Sequence, residues 1–196
     1  MSQLKVNSIV NTSGGTDVAN LGSWKKLSTT TISSNVDNVT FTNSITDAFD
    51  TYNMYAMVFN QIRCTTDDIN LHFRIQESGS TVTSNVYRYR VNSTDGNFSG
   101  GGDVDNFRYN KDPIGNATSG SAFSEDISGI IYMTGFMANR TFRQRGEIMF
   151  GNISADHCTD LSGGGINNTN ETTGVVLYPE NGQWSTGTAA LYGIAQ

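Results

Sequence analysis

Few residues in this chain have the type and spacing for chemistry. His72 and His157 are its only histidines, and Cys64 and Cys158 its only cysteines. Asp156, His157, Cys158 and Asp160 could offer mixed ligands to one metal ion. Zinc, however, asks for several His or Cys at set intervals, and this stretch reads more simply as a solvated turn. Asp103 and Asp105 could lend oxygens to calcium, yet the EF-hand loop pattern is missing. The run SGGGD at 99–103 lacks the Lys and Ser/Thr of a phosphate-binding loop, and no strand-to-helix context surrounds it. A Gly-x-Ser-x-Gly nucleophile elbow is also missing. The acidic pairs Asp67-Asp68 and Glu125-Asp126 have turn character rather than that of the facing carboxylates of glycoside cleavage. The expectation is a protein without catalytic, metal-binding or cofactor-binding residues, and not an enzyme.

Charge narrows the choice of partner. The net charge is −6 and the isoelectric point about 4.7. A general nucleic-acid binder needs Lys and Arg to replace phosphate counterions, so nucleic acid is not an expected partner. Two basic clusters stand out against this background: Arg88 and Arg90, and then Arg140, Arg143 and Arg145. In YRYR (87–90) the arginines alternate with Tyr87 and Tyr89. A stacking platform for single strands has that look; a half-buried strand with tyrosines inward and arginines outward has it equally, and is the reading preferred here. No run approaches the length of a membrane span, and residues 1–10 lack the apolar core of a secretory leader. Membrane contact is not expected.

The elements that would position such residues are strands. Residues 52–64, YNMYAMVFNQIRC, form the longest strongly apolar run. Tyr52, Met54, Ala56, Val58 and Ile62 would share one face; Tyr55, Met57 and Phe59 would share the other. A strand apolar on both faces belongs inside a stack of sheets. Around it, strands are expected at 24–32, 36–41, 71–76, 82–91, 127–136, 141–153, 175–178 and 184–194, with a helical turn over 45–52. Segment 93–120 reads as long loops broken by a short strand near 107–109, and 156–170 as a further polar, glycine-rich stretch. Such loops commonly carry recognition, so Asn97, Phe98, Asp103, Asp105 and Asn116 are candidate exposed recognition residues. Apolar residues make up 36% of the chain, yet it holds ten Phe, eight Tyr and two Trp; disordered chains lack such aromatics. The fold class expected is all-β: an antiparallel two-sheet sandwich of jelly-roll type over 23–196, preceded by an extended arm over 1–22. Leu4, Val6, Ile9 and Val10 give that arm a few apolar contacts for docking to another chain. Two cysteines make no disulfide framework, and both are expected as free thiols.

Three stretches resemble small structural proteins of the particles of tailed phages, notably those of marine bacteria. They are the opening LKVNSIVNTSG (4–14), the middle series AFDTYNMYAMVFNQI, DDINLHFRI and NVYRYR, and the ending GTAALYGI (187–194). The resemblance implies a virion location, other virion proteins as partners, and self-association, with a homotrimer favoured. It implies a fibre- or spike-type component attached through its arm, with adhesion to a host-surface glycan as its purpose. A capsid decoration protein is the alternative within that class. A free carbohydrate-binding module or glycan-cleaving enzyme is the alternative outside it, with Trp24 or Trp184 as the aromatic platform of such a module.

Overall fold

The computed structural model describes residues 24–42, 52–93, 98–110, 114, 126–137, 139–151 and 157–194. The arm residues Leu4, Val6, Ile9 and Val10, the helical turn expected over 45–52 as far as residue 51, and Asn97 and Asn116 lie outside the described residues.

Every regular element among the described residues is a strand, and all pairing is antiparallel. The first six are β1 (Trp24–Ile32), β2 (Val39–Thr42), β3 (Met54–Cys64), β4 (Leu71–Glu77), β5 (Ser80–Thr81) and β6 (Tyr87–Ser93). Then follow β7 (Phe98–Val104), β8 (Phe107–Arg108), β9 (Ile127–Thr134), β10 (Arg143–Gly151), β11 (His157–Ile166), β12 (Gly174–Pro179) and β13 (Trp184–Ile194). One sheet has eight strands in the order β1-β13-β3-β9-β10-β11-β6-β7. The other has five, β2-β12-β4-β5 with β8 also against β4. Strands β1 to β4 alternate between the sheets, and β12 and β13 return to pair with β2 and β4, and with β1 and β3. This is jelly-roll winding. One sheet is enlarged by β10, β11, β6 and β7 beyond β9.

The two sheets meet through aromatic rings. Tyr55 from β3 packs against Phe136 at 4.7 Å, Phe136 against Phe142 at 5.3 Å, and Phe142 against Phe107 at 6.1 Å. Tyr87 of β6 closes the series on Phe107 at 4.9 Å. Its hydroxyl donates to the Val82 carbonyl and accepts from the Ile75 amide. Burial pushes its pKa far above the ordinary tyrosine value. Strand β4 reads as the alternation in its sequence requires: Leu71, Phe73 and Ile75 are buried, while His72, Arg74 and Gln76 face outward.

The central strand departs from the expected faces at both ends. Tyr55, Met57 and Phe59 are buried in the core as expected, but Ile62 joins them. A bulge shifts the register between Phe59 and Ile62, with Gln61 at φ 50°, and the extra residue reverses the alternation. Gly187 of β13, at φ 120°, lies against the bulge: a Cβ there would stand 2.6 Å from the Cα of Ile62. Tyr52 precedes the strand and packs edge-on against Tyr55, so it does not continue the Met54 face.

Two segments expected as loops are strands. Residues 98–104 pair with β6, and 157–166 lie between β10 and β6. Their glycines permit close backbone approach: a Cβ on Gly164 would stand 2.2 Å from the Arg88 carbonyl oxygen. Phe98 therefore opens a strand, Asp103 lies within one, and Cys158 sits on a strand rather than in a loop. At the other edge, the strand expected at 36–41 is displaced to 39–42, with Val36 making a lone bridge to Trp184.

Trp184 is fully buried, and its indole donates to the Leu177 carbonyl at 3.2 Å. Trp184→Ala is expected to cost about 3–5 kcal/mol in urea unfolding; a loss below about 1 kcal/mol would contradict this packing. His72 offers a second check. Burial is the main cause that lowers its pKa below 6.5, opposed by the Glu180 charge. The unfolded chain then binds the proton more readily than the native one. The stability that neutral His72 leaves intact is full above pH 6.5 and is lost as the pH falls toward the depressed native value. His72→Gln should flatten the stability profile between about pH 5 and 7; an unchanged slope would rule His72 out.

Candidate functional site

The same alternation that fills the core puts a second set of residues on the outer face of the eight-stranded sheet. One cross-strand row can be followed through the pairing. It runs Lys26, Tyr192, Ala56, Tyr132, Arg145, Gly163, Arg90 and Gly100. Its first half is aromatic. Trp24, two residues before Lys26 on the same face, meets the ring of Tyr132 edge-on at 5.9 Å and that of Tyr192 at 5.7 Å. Trp24 stays 41% exposed and both tyrosines are half-buried. Ala56, in the register between the two tyrosines, is buried without belonging to the core cluster. The small residue leaves room for the rings on either side. Apolar character continues along the face through half-buried Val58 and Ile130 to exposed Leu161 and Met149.

The second half of the row is basic. Arg143 and Arg145 project from β10, Arg88 and Arg90 from β6. Between them the outward positions of β11 are Gly163 and Gly165, paired to Arg145 and Arg143 on one side and to Arg90 and Arg88 on the other. Thus Arg88 and Arg90 meet Arg143 and Arg145, more than fifty residues away in sequence, across the stretch of β11 whose outward positions are glycines. Tyr87 and Tyr89 lie on the opposite side of β6, toward the interior, with Tyr87 fully buried. YRYR is therefore the half-buried strand expected of it. Arg88 pairs with Asp103 at 2.9 Å, and this exposed hydrogen-bonded pair holds the Asp103 carboxyl below its usual range. Among the described residues, Arg140, Arg143 and Arg145 have no carboxylate within salt-bridge distance.

A cleft of about 420 Å³ opens at the Arg143 end of this face, lined by Tyr52, Asn53, Thr134, Gly135, Arg140 and Arg143 among others. No carboxylate is among its described lining residues. A second cleft of about 490 Å³, at the opposite end of β3, contains Arg63, but there Asp126 holds it at 2.9 Å. Asp126 therefore serves as an ion-pair partner beyond its turn position.

The residues singled out from sequence fall elsewhere. Asp103 and Asp105 do not converge on one ligand, since Asp103 engages Arg88 and Asp105 engages Arg74. Asp160 is fully buried on the inner side of β11, away from solvent, while Asp156 lies outside the described residues. Cys64 and Cys158 are both free thiols, and burial raises the Cys64 pKa. Of the two tryptophans, only Trp24 can present a platform. The sequence signal for this face is the outward phase of the strands expected at 24–32, 82–91 and 141–153.

No protein-family model, curated protein or solved structure matches the chain.

The floor of the basic half can be probed directly. A Cβ at Gly163 would meet nothing closer than the Gln144 carbonyl oxygen at 3.9 Å, whereas one at Gly164 would collide with the Arg88 backbone. Gly163→Ala is expected to change unfolding free energy by less than about 1 kcal/mol, and Gly164→Ala to cost about 1–3 kcal/mol or more. Equal effects would show that β11 is not set in this phase.

Proposed function

We propose that this chain is a non-catalytic adhesion protein of a phage virion, of fibre or spike type, that recognises a host-surface glycan through the outer face of its eight-stranded sheet. The observation that carries the reading is the solvent-facing Trp24–Tyr132–Tyr192 cluster, in which Trp24 packs edge-on against Tyr132 and tilted against Tyr192. A core makes no use of rings on that side. An exposed, amphipathic ring group suits the apolar faces and hydroxyl rims of sugars. Strand backbone holds the rings in place before binding, so little ordering entropy is lost on contact. The virion assignment rests on the sequence resemblance at 4–14, through the middle series and at 187–194. In that setting the arm, through Leu4, Val6, Ile9 and Val10, docks the domain onto a neighbouring virion protein, and the chain assembles as a trimer.

Two experiments test the two parts. On a glycan array, Trp24→Ala should weaken binding about tenfold or more, ~1.4 kcal/mol, while leaving the urea midpoint nearly unchanged. Undiminished binding by the folded variant removes the platform. A chain lacking residues 1–22 should keep its melting temperature and fail to join the particle. Incorporation at the full level removes the arm from its role.

A further inference from the structure

Resting on that adhesion reading, we infer that the arginine-walled trough over β10, β11 and β6 makes the site selective for acidic polysaccharides bearing carboxylates along the chain. Three observations converge on this. First, charge: in a chain of net charge −6, Arg88, Arg90, Arg143 and Arg145 gather on one face, and Arg140 lines the cleft that Arg143 shares. Among the described residues, Asp103 on Arg88 and Glu147 two residues from Arg145 on β10 offset part of this, and Arg90 has an interaction of its own. Arg140, Arg143 and Arg145 are still left without a carboxylate among the described residues. Guanidinium groups not already engaged by a carboxylate are suited to two-pronged hydrogen bonding with planar carboxylates.

Second, shape. Gly163 and Gly165 form the floor of the trough, with open space above Gly163. The walls stand two strand spacings apart, roughly 10 Å. A ligand chain that crosses the strands can therefore set an acid group down between the two arginine pairs, above Gly163, instead of perching on their tips.

Third, continuity. The row from Tyr192 through Tyr132 and Arg145 to Arg90 crosses from β13 to β6. That is five strand spacings, roughly 24 Å, the reach of an oligosaccharide rather than of a single sugar. Rings at one end would stack on sugar faces, and arginines at the other would take the acid groups of the same chain. A single-stranded nucleic acid fits less well, because Tyr87 and Tyr89 turn inward and leave the basic half without a stacking surface.

The test titrates the full chain with polygalacturonate oligomers, with uncharged galactan oligomers of equal length, and with oligothymidylate, at 50 and 500 mM salt. The wild type should bind polygalacturonate at least about tenfold more tightly than galactan at low salt, with the preference shrinking at high salt as charge is screened. In the double variant Arg143→Gln, Arg145→Gln the preference should collapse toward one. Gly163→Glu, whose side chain has room on the fold and sets a carboxylate between the walls, should do the same. Equal binding of the two glycans by the wild type, still lowered by Trp24→Ala, would overturn the acidic selectivity and leave the adhesion reading standing. Binding of neither glycan would overturn both. Tight oligothymidylate binding without polygalacturonate binding would overturn the inference in favour of nucleic acid.

Discussion

The two-residue alternation of a strand is the constraint on which everything else here depends. Once Tyr55, Met57 and Phe59 are committed to the core, Met54, Ala56 and Val58 must face away from it. Once Ile131 and Met133 turn inward on β9, Tyr132 must turn outward. The ring series from Tyr55 to Tyr87 fixes the inner phase of β3, β6 and the segments flanking β9 and β10, because these side chains fit only within the sandwich. Slipping one strand by a single residue would bury its outward polar residues and expose its rings. The outer face is thus set by the same packing energy that folds the protein, although it contributes little to that energy itself.

That dependence explains how a polar, acidic chain can build a rigid basic and aromatic surface. Arg88 and Arg90 belong to a strand anchored by fully buried Tyr87 and Val91; Arg143 and Arg145 to one anchored by buried Ile148 and Phe150. β11 joins them: Gly164 lets the Arg88 backbone approach, and Gly163 leaves open space on the outer side. Arginines on a strand pinned from below lose less backbone freedom on binding than the same residues in a loop. The surface is pre-organised by the core, and substitutions on it should change binding far more than stability.

Much of the fold was legible because alternation is local. The strands at 24–32 and 184–194 coincide with β1 and β13, and the half-buried pattern of 71–76 is that of β4. β7 and β11 escaped because three consecutive glycines carry no side-chain phase; their pairing partners, not their own residues, make them strands. The face of Ile62 escaped because a bulge at Gln61 breaks the count, and nothing local announces it. The site was half legible. Both arginine clusters and Trp24 were visible as residues, but their meeting depends on β6, β11 and β10 being adjacent, a long-range pairing that no window of sequence contains. The ion pairs that Asp103 and Asp105 make with Arg88 and Arg74 were equally beyond any window of sequence.

The most direct measurement is a map of backbone amide chemical shifts of the full chain as polygalacturonate oligomers are added. A binding face on the large sheet predicts that the responding amides cluster at Trp24, Tyr132, Arg145, Gly163 and Arg90, with His72, Arg74 and Val176 of the opposite sheet unmoved. Changes confined to the β2-β12-β4 sheet, or no change at saturating glycan, would contradict it.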